Sequence, residues 1–238
     1  IIKQKQAKSK IRARFCNYSR KVGFARMPME LFYTIRVLLN KERHKLYGLL
    51  KTFTPHTKEA DRYLPKTIEV SNINGRVVEE CIAAAEPSII AIWGGPIIKG
   101  EILNQAEYAL NMHAGLCPYY RGSNGNQNAI VEGKKNLIGA TIHHAVASVD
   151  AGPIIETVQE DVRKPAALFF RDLNDRSSER YLSILESFAN RRELPSRPQE
   201  IRKGHNYLMR EWTYHKQFKL LLELKKWNDR SPDASHAE

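Results

Sequence analysis

The chain has 238 residues, 42% apolar and 27% charged, an ordinary globular composition that can bury its own core without covalent or metal staples. Three cysteines, Cys16, Cys81 and Cys117, lie far apart with no CxxC pair, which argues against a disulfide framework and a structural zinc site. The net charge is +12, but residues 1–51 carry +12, residues 52–190 carry −4 and residues 191–238 carry +4, so a polyanionic partner concerns only the ends.

No apolar run approaches the ~18 residues of a membrane-spanning helix, and lysines 3, 5, 8 and 10 break up any signal peptide, so a cytoplasmic protein is expected. Residues 1–26 read as basic and irregular. Over residues 28–50 the pattern turns helical: Leu31, Ile35, Leu38 and Leu39 share one face, which is expected to pack on the body, and Pro28 suits the first turn. Residues 52–66 are polar with two prolines, a loop. A short strand follows at 67–70, then a helix at 76–85 with Val77, Val78, Cys81 and Ile82 inward, stopped by Glu86-Pro87.

Ser88 to Trp93 is a continuous apolar run before Gly94-Gly95, the pattern of a strand buried on both faces. A helix at about 99–105, a strand at 109–112, a helix at 126–133, strands at 139–145 and 154–158, and an amphipathic helix at 177–190 complete the middle. The last helix carries Tyr181, Leu182, Leu185 and Phe188. Strand–helix alternation predicts an α/β fold with a mostly parallel central sheet. The expected organisation is a basic N-terminal region with an amphipathic helix (1–66), a catalytic core (67–190), and a basic, mostly helical extension (191–238). Residues 231–238 read as a disordered tail.

One polar segment stands apart: Asn111-Met-His113-Ala-Gly-Leu-Cys-Pro118-Tyr-Tyr-Arg121-Gly122-Ser123. On a strand, Asn111 and His113 point to one side, and in open α/β sheets ligands bind beyond the carboxyl ends of strands. Further on, Thr141-Ile-His143-His144 runs into a loop presenting Asp150-Ala-Gly152. That acid can orient a histidine, or simply form a turn. His143 and His144 are adjacent and face opposite ways, poor joint metal ligands. No metal is expected.

Taken together, Asn111-x-His113, Leu116-x-Pro118, Arg121-Gly122, Thr141-x-His143 and Asp150-x-Gly152 resemble the folate-dependent formyltransferases, a family with glycinamide-ribonucleotide, methionyl-tRNA and sugar-amine members. The resemblance covers roughly residues 68–160, with Gly115 and Cys117 standing where the family signature has Ser and Leu. It implies a Rossmann-like fold whose first strand and helix do not precede Ile1. It also implies transfer of a formyl group from 10-formyltetrahydrofolate to a primary amine through a tetrahedral intermediate. Asn111 and His113 would serve the oxyanion and the proton, and Asp150 would orient or charge His113.

The folate pocket is expected at Trp93, Gly94, Gly95, Pro96 and Ile97 with Val146, Ser148 and Val149. The amine side is expected at Arg121, Gly122, Ser123 and Asn126, joined by Asn124 and Gln127. Arg121 is read either as meeting a phosphate or carboxylate of the substrate or as pairing with a local acid, and Cys117 as packing. The partner implied is a small amine. An anionic amine and a homodimer are left open, and nucleic acid is disfavoured. Two other functions stay in view: hydrolysis of formyltetrahydrofolate, with water in place of the amine, and a non-catalytic basic interaction protein.

Overall fold

Strands and helices alternate along the chain, described in a computed structural model over residues 1–4, 26–50 and 66–229. The expected irregular segment 1–26, loop 52–66 and tail 231–238 lie wholly or for the most part outside the described residues. In order the elements are β1 (Ile2–Gln4), α1 (Met27–Leu39), α2 (Arg43–Leu50), β2 (Ile68–Val70), α3 (Arg76–Ala85), β3 (Ile89–Trp93), α4 (Gly100–Leu103) and β4 (Tyr108–His113). There follow β5 (Tyr120–Gly122), α5 (Gly125–Val131), β6 (Ala140–His144), β7 (Ile154–Val158), α6 (Ala166–Arg191), β8 (His205–Tyr207) and α7 (Tyr214–Asp229). Among the described residues no helix is long and apolar enough to cross a membrane.

The α/β class is as expected, but the four-stranded sheet is mixed where a mostly parallel one was predicted. Its order is β3-β4-β6-β7, with β3 parallel to β4 and both later pairs antiparallel. The reason is in the connections: β6 and β7 are joined by residues 145–153, too short for a crossover helix, so the chain must return antiparallel. β3 is the outer strand of this sheet, and Trp93 is exposed, so its apolar run is not covered on both faces as predicted. Tyr181 compensates from α6, its hydroxyl donating to the carbonyls of Ile92 (3.1 Å) and Leu110 (3.2 Å). Beside the sheet, β1 and β2 form a parallel pair, packed with α3 through Val70, Val78 and Ile82.

α6 is 26 residues long, and its first eleven residues were not foreseen. The polar stretch Asn174–Ser178 mimics a break in the sequence. In the fold, Ser177 and Ser178 donate to the carbonyls of Leu173 and Asn174 one turn back, so the helix continues through it. Its two halves serve different cores. Phe169, Phe170 and Leu173 join the main cluster, whereas Tyr181 and Ile184 pack on Leu110 and Ile142 of the sheet.

The expected helix 28–50 is two helices. Asn40 ends α1, and its side-chain oxygen accepts the Glu42 amide to start the turn into α2. The buried face of α1 also differs from the predicted one. Leu31, Ile35, Leu38 and Leu39 are exposed, and Glu30 and Val37 are buried. The side chosen is the one that fits α7. Tyr33 packs on His215 (4.6 Å between centroids) and Phe218, and Arg36 lies over Phe218. The Glu30 carboxylate accepts the Tyr214 amide (2.9 Å) at the α7 N-terminus, where a negative charge also meets the helix dipole. α7 in turn delivers Leu220, Leu221, Leu224 and Trp227 to the same cluster as Tyr120, Ile130 and Phe169.

β8 pairs in parallel with β5, matching Arg121 with Asn206 and Gly122 with Tyr207. The pair is locked from α5: Glu132 accepts the hydroxyls of Tyr120 (2.8 Å) and Tyr207 (2.6 Å), whose rings stack at 5.5 Å.

Replacing the long-range cap should weaken the whole fold. Glu30→Ala is expected to lose about 1–2 kcal/mol, read as a lower urea midpoint at unchanged slope.

Candidate active site

Strand geometry brings the polar motif together. Asn111 and His113 are two apart on β4, and the antiparallel register sets Asn111 opposite His143 and His113 opposite Thr141 on β6. The loop after β6 then folds back with Asp150 at φ 47, a left-handed residue. Such backbone costs roughly 1–3 kcal/mol in a non-glycine residue. The Asp150 carboxylate recovers that cost. Oδ2 accepts the Gly122 amide (2.8 Å) and faces His113 Nδ1 (3.2 Å). Oδ1 accepts from Asn111 Nδ2 (3.1 Å) and faces His143 Nε2 (3.3 Å). Hydrogen bonds to a charged partner contribute about 1.5–3 kcal/mol each, so the set outweighs the backbone strain.

The far sides of both rings face carbonyl oxygens, which only accept. His113 Nε2 lies 2.8 Å from Tyr120 O, and His143 Nδ1 lies 2.8 Å from His144 O. Each carbonyl therefore places a proton on the nitrogen it faces. The opposite nitrogens, His113 Nδ1 and His143 Nε2, are the ones that face the Asp150 carboxylate.

Burial is the largest influence on Asp150 and would raise its pKa. The His143 hydrogen bond, the electrostatic pull of His113 in its protonated form and the Gly122 amide oppose it and hold the carboxyl below its usual value. Burial is also the largest influence on His113, and it holds the ring below its ordinary value against the opposing pull of Asp150 and the Tyr120 carbonyl. His113 is thus neutral near pH 7 and Asp150 is charged.

Thr141 ties the loop after β4 to β6, donating to Gly115 O (2.8 Å) and accepting the Cys117 amide (2.9 Å). Cys117 is buried, and desolvation pushes its thiol up to about 12, so it packs and does not react. Gly115 is required by close approach: a Cβ there would come 2.3 Å from His113 Nε2 and 2.4 Å from Tyr120 O.

The cluster borders a cavity of about 570 Å³. Trp93, Gly94, Gly95, Pro96 and Ile97, with Val146 and Val149, are among the residues that line it. Gly94 and Gly95 have φ 64 and 103, and a Cβ on either would meet nothing within 4 Å, so they serve a tight turn. Gly122, Ser123, Asn124 and Gln127 line the cavity too.

Three expected residues fall outside the lining. Ser148 closes a turn with Ala151. Asn126 is buried in α5 and accepts the Gly139 amide (3.0 Å). Arg121 is buried near Cys117 and lies outside the cavity lining, and among the described residues its Nε has no partner. Sequence reasoning left out His143, whose signal was its register with Asn111. It also missed Asn206, Tyr207, Leu208 and Met209, which β8 carries to the cavity wall from more than 80 residues beyond β5 and which left no local signal.

Residues 34–179 match the model of the formyl transferase family. The chain is 33% identical over 115 residues to a methionyl-tRNA formyltransferase of Bacillus mycoides, covering 48% of this chain and 36% of that protein. A Bacillus thuringiensis homologue of the same name aligns equally. The chain thus spans about a third of the length of these curated relatives. Among solved structures, a formyltransferase from Anoxybacillus kamchatkensis, in complex with UDP-4,6-dideoxy-4-formamido-L-AltNAc and tetrahydrofolate, superposes with a TM-score of 0.51 at 16% identity. That superposition covers 77% of this chain and 93% of the other, and it shows a shared fold.

The tight space at Gly115 is directly testable. Gly115→Ala should cost about 1–3 kcal/mol from overpacking, measured by thermal or urea unfolding.

Proposed function

This chain belongs to the formyl transferase family, and we propose that it moves a formyl group from 10-formyltetrahydrofolate to a primary amine of a small substrate. The observation that supports the reading best is the convergence of Asn111, His113 and Asp150 at one edge of the cavity. The reaction needs what that cluster can do. The amine nitrogen attacks the formyl carbon, the carbonyl electron pair moves onto oxygen, and the folate nitrogen leaves as the tetrahedral intermediate collapses. One proton must leave the amine and one must reach the folate nitrogen.

Asp150, His113 and His143 accept the amine proton in the space between them and return it to the leaving nitrogen. Asn111 supplies a neutral donor for the oxyanion when its amide turns from Asp150 toward the cavity. The apolar side from Trp93 to Ile97 with Val146 and Val149 takes the pterin, a flat group suited to an apolar cleft. The amine side offers the amides of Asn124 and Gln127 and the Tyr207 ring. Amides pair with hydroxyl groups, so an amino sugar suits this wall. The Anoxybacillus protein carries a formamido sugar nucleotide at its own site. Any phosphate of such a substrate would sit away from Arg121, which is buried behind the wall.

The test is tetrahydrofolate release from formyltetrahydrofolate with a panel of amino-sugar nucleotides and aminoacyl esters. Amine-dependent release is expected, and equally fast release without any amine would make the protein a hydrolase instead. Asp150→Asn should lower transfer at least about 100-fold. The neutral His113 is the active form, so kcat at saturating substrates should rise with pH and level off below pH ~6.5, the ordinary histidine value. A plateau reached only above pH 7 would contradict that assignment.

A further inference from the structure

The Asp150 loop makes few backbone bonds of its own. Within residues 145–153, the Ala151 amide donates weakly to Ser148 O (3.3 Å), and the base is closed by Ala145 to Ala109 O and His144 to Pro153 O. What holds the tip comes from far along the chain. Gln199 Nε2 donates to Asp150 O (3.1 Å) and to Gly152 O (2.5 Å). One amide nitrogen can bond both carbonyls only if they face a common point, and that curl accompanies the left-handed backbone at Asp150. Gly152 adds to the constraint, since a Cβ there would lie 1.9 Å from His144 O.

The segment bearing Gln199 is itself anchored. Arg197 exchanges two backbone bonds with Ile154 at the start of β7, 2.7 and 2.8 Å. Gln199 Oε1 is buried with no partner among the described residues. An orphaned acceptor costs about 1–3 kcal/mol, so the side chain is held there by its two donor bonds. Gln199 is not part of the cavity lining.

From these contacts we propose that Gln199 is a positioning residue for formyl transfer. By pinning the carbonyls of Asp150 and Gly152, it fixes the turn that sets the carboxylate between His113 and His143. The role rests on the proposed function for its catalytic consequence, but its structural consequence can be read without turnover. The titratable groups around Asp150 are His113 on β4, His143 on β6 and the Cys117 thiol, which donates to Asp150 O at 3.6 Å, with the Arg121 charge beside Cys117. Asn111 and the Gly122 amide complete the contacts.

Gln199→Met keeps the bulk and removes both donors. It is expected to lower kcat roughly 10- to 100-fold, the scale of a misplaced catalytic group. The KM for formyltetrahydrofolate should stay within about threefold. In an NMR titration of the histidine ring protons, His113 should titrate at lower pH than in the unaltered chain, because the carboxylate that favours its charged form has moved away. Gln199→Ala, which leaves space and no donor, should shift His113 the same way and guards against a packing effect of the thioether. Unchanged kcat with an unchanged His113 titration in either folded variant overturns the proposal. So does a loss confined to KM. A chain that releases no tetrahydrofolate with any amine refutes the proposed function, and the His113 titration still decides the role of Gln199.

Discussion

Asp150 keeps its charge with its side chain only 11% exposed, and contacts from several strands serve that end. A buried carboxylate without partners would take up a proton. Here the neighbours of the carboxylate arrive from three separate segments, Asn111 and His113 on β4, His143 on β6 and the Gly122 amide on β5, while Gln199 holds the backbone carbonyl of Asp150 from behind the loop. Each depends on something more basic. The β4–β6 register places the two histidines on one side. Thr141 holds the loop that leads from β4 to β5, and the absence of a side chain at Gly115 lets His113 turn toward Tyr120. The strain at Asp150 is thus the local cost of a contact set that spans most of the sheet.

The C-terminal segment is built into this arrangement. β8 lies against β5, and the paired tyrosine hydroxyls on Glu132 keep it there. α7 completes the largest apolar cluster, and its own first turn is satisfied by Glu30 from α1. α1 and α7 therefore stabilise one another through that cluster.

What the sequence revealed follows the range of the forces involved. The 76–85 helix, the 154–158 strand and the α/β class rest on local periodicity and were legible, although Val77, expected inward, is exposed and only Val78 and Ile82 are buried. Asn111, His113 and Asp150 were legible because their spacing carries a family resemblance, and the fold brings them together. Arg121 and Asn126 were misplaced because residue type alone does not say which side of a short strand or helix faces the cavity. The outward stripe of α1 was misread for the same reason: periodicity finds two candidate faces, and only the tertiary partner selects one. The wall at 206–209 and the clamp at Gln199 depend on pairings across dozens of residues, which no local pattern encodes.

The β5–β8 pairing ties the far end of the chain to the carboxylate. Gly122, whose amide donates to Asp150, is matched with Tyr207 in the register, and the neighbouring Ser123 amide donates to Tyr207 O at 2.7 Å. A change that shifts the β8 backbone is therefore felt at once in the cavity wall at 206–209 and in the hydrogen bond to Asp150.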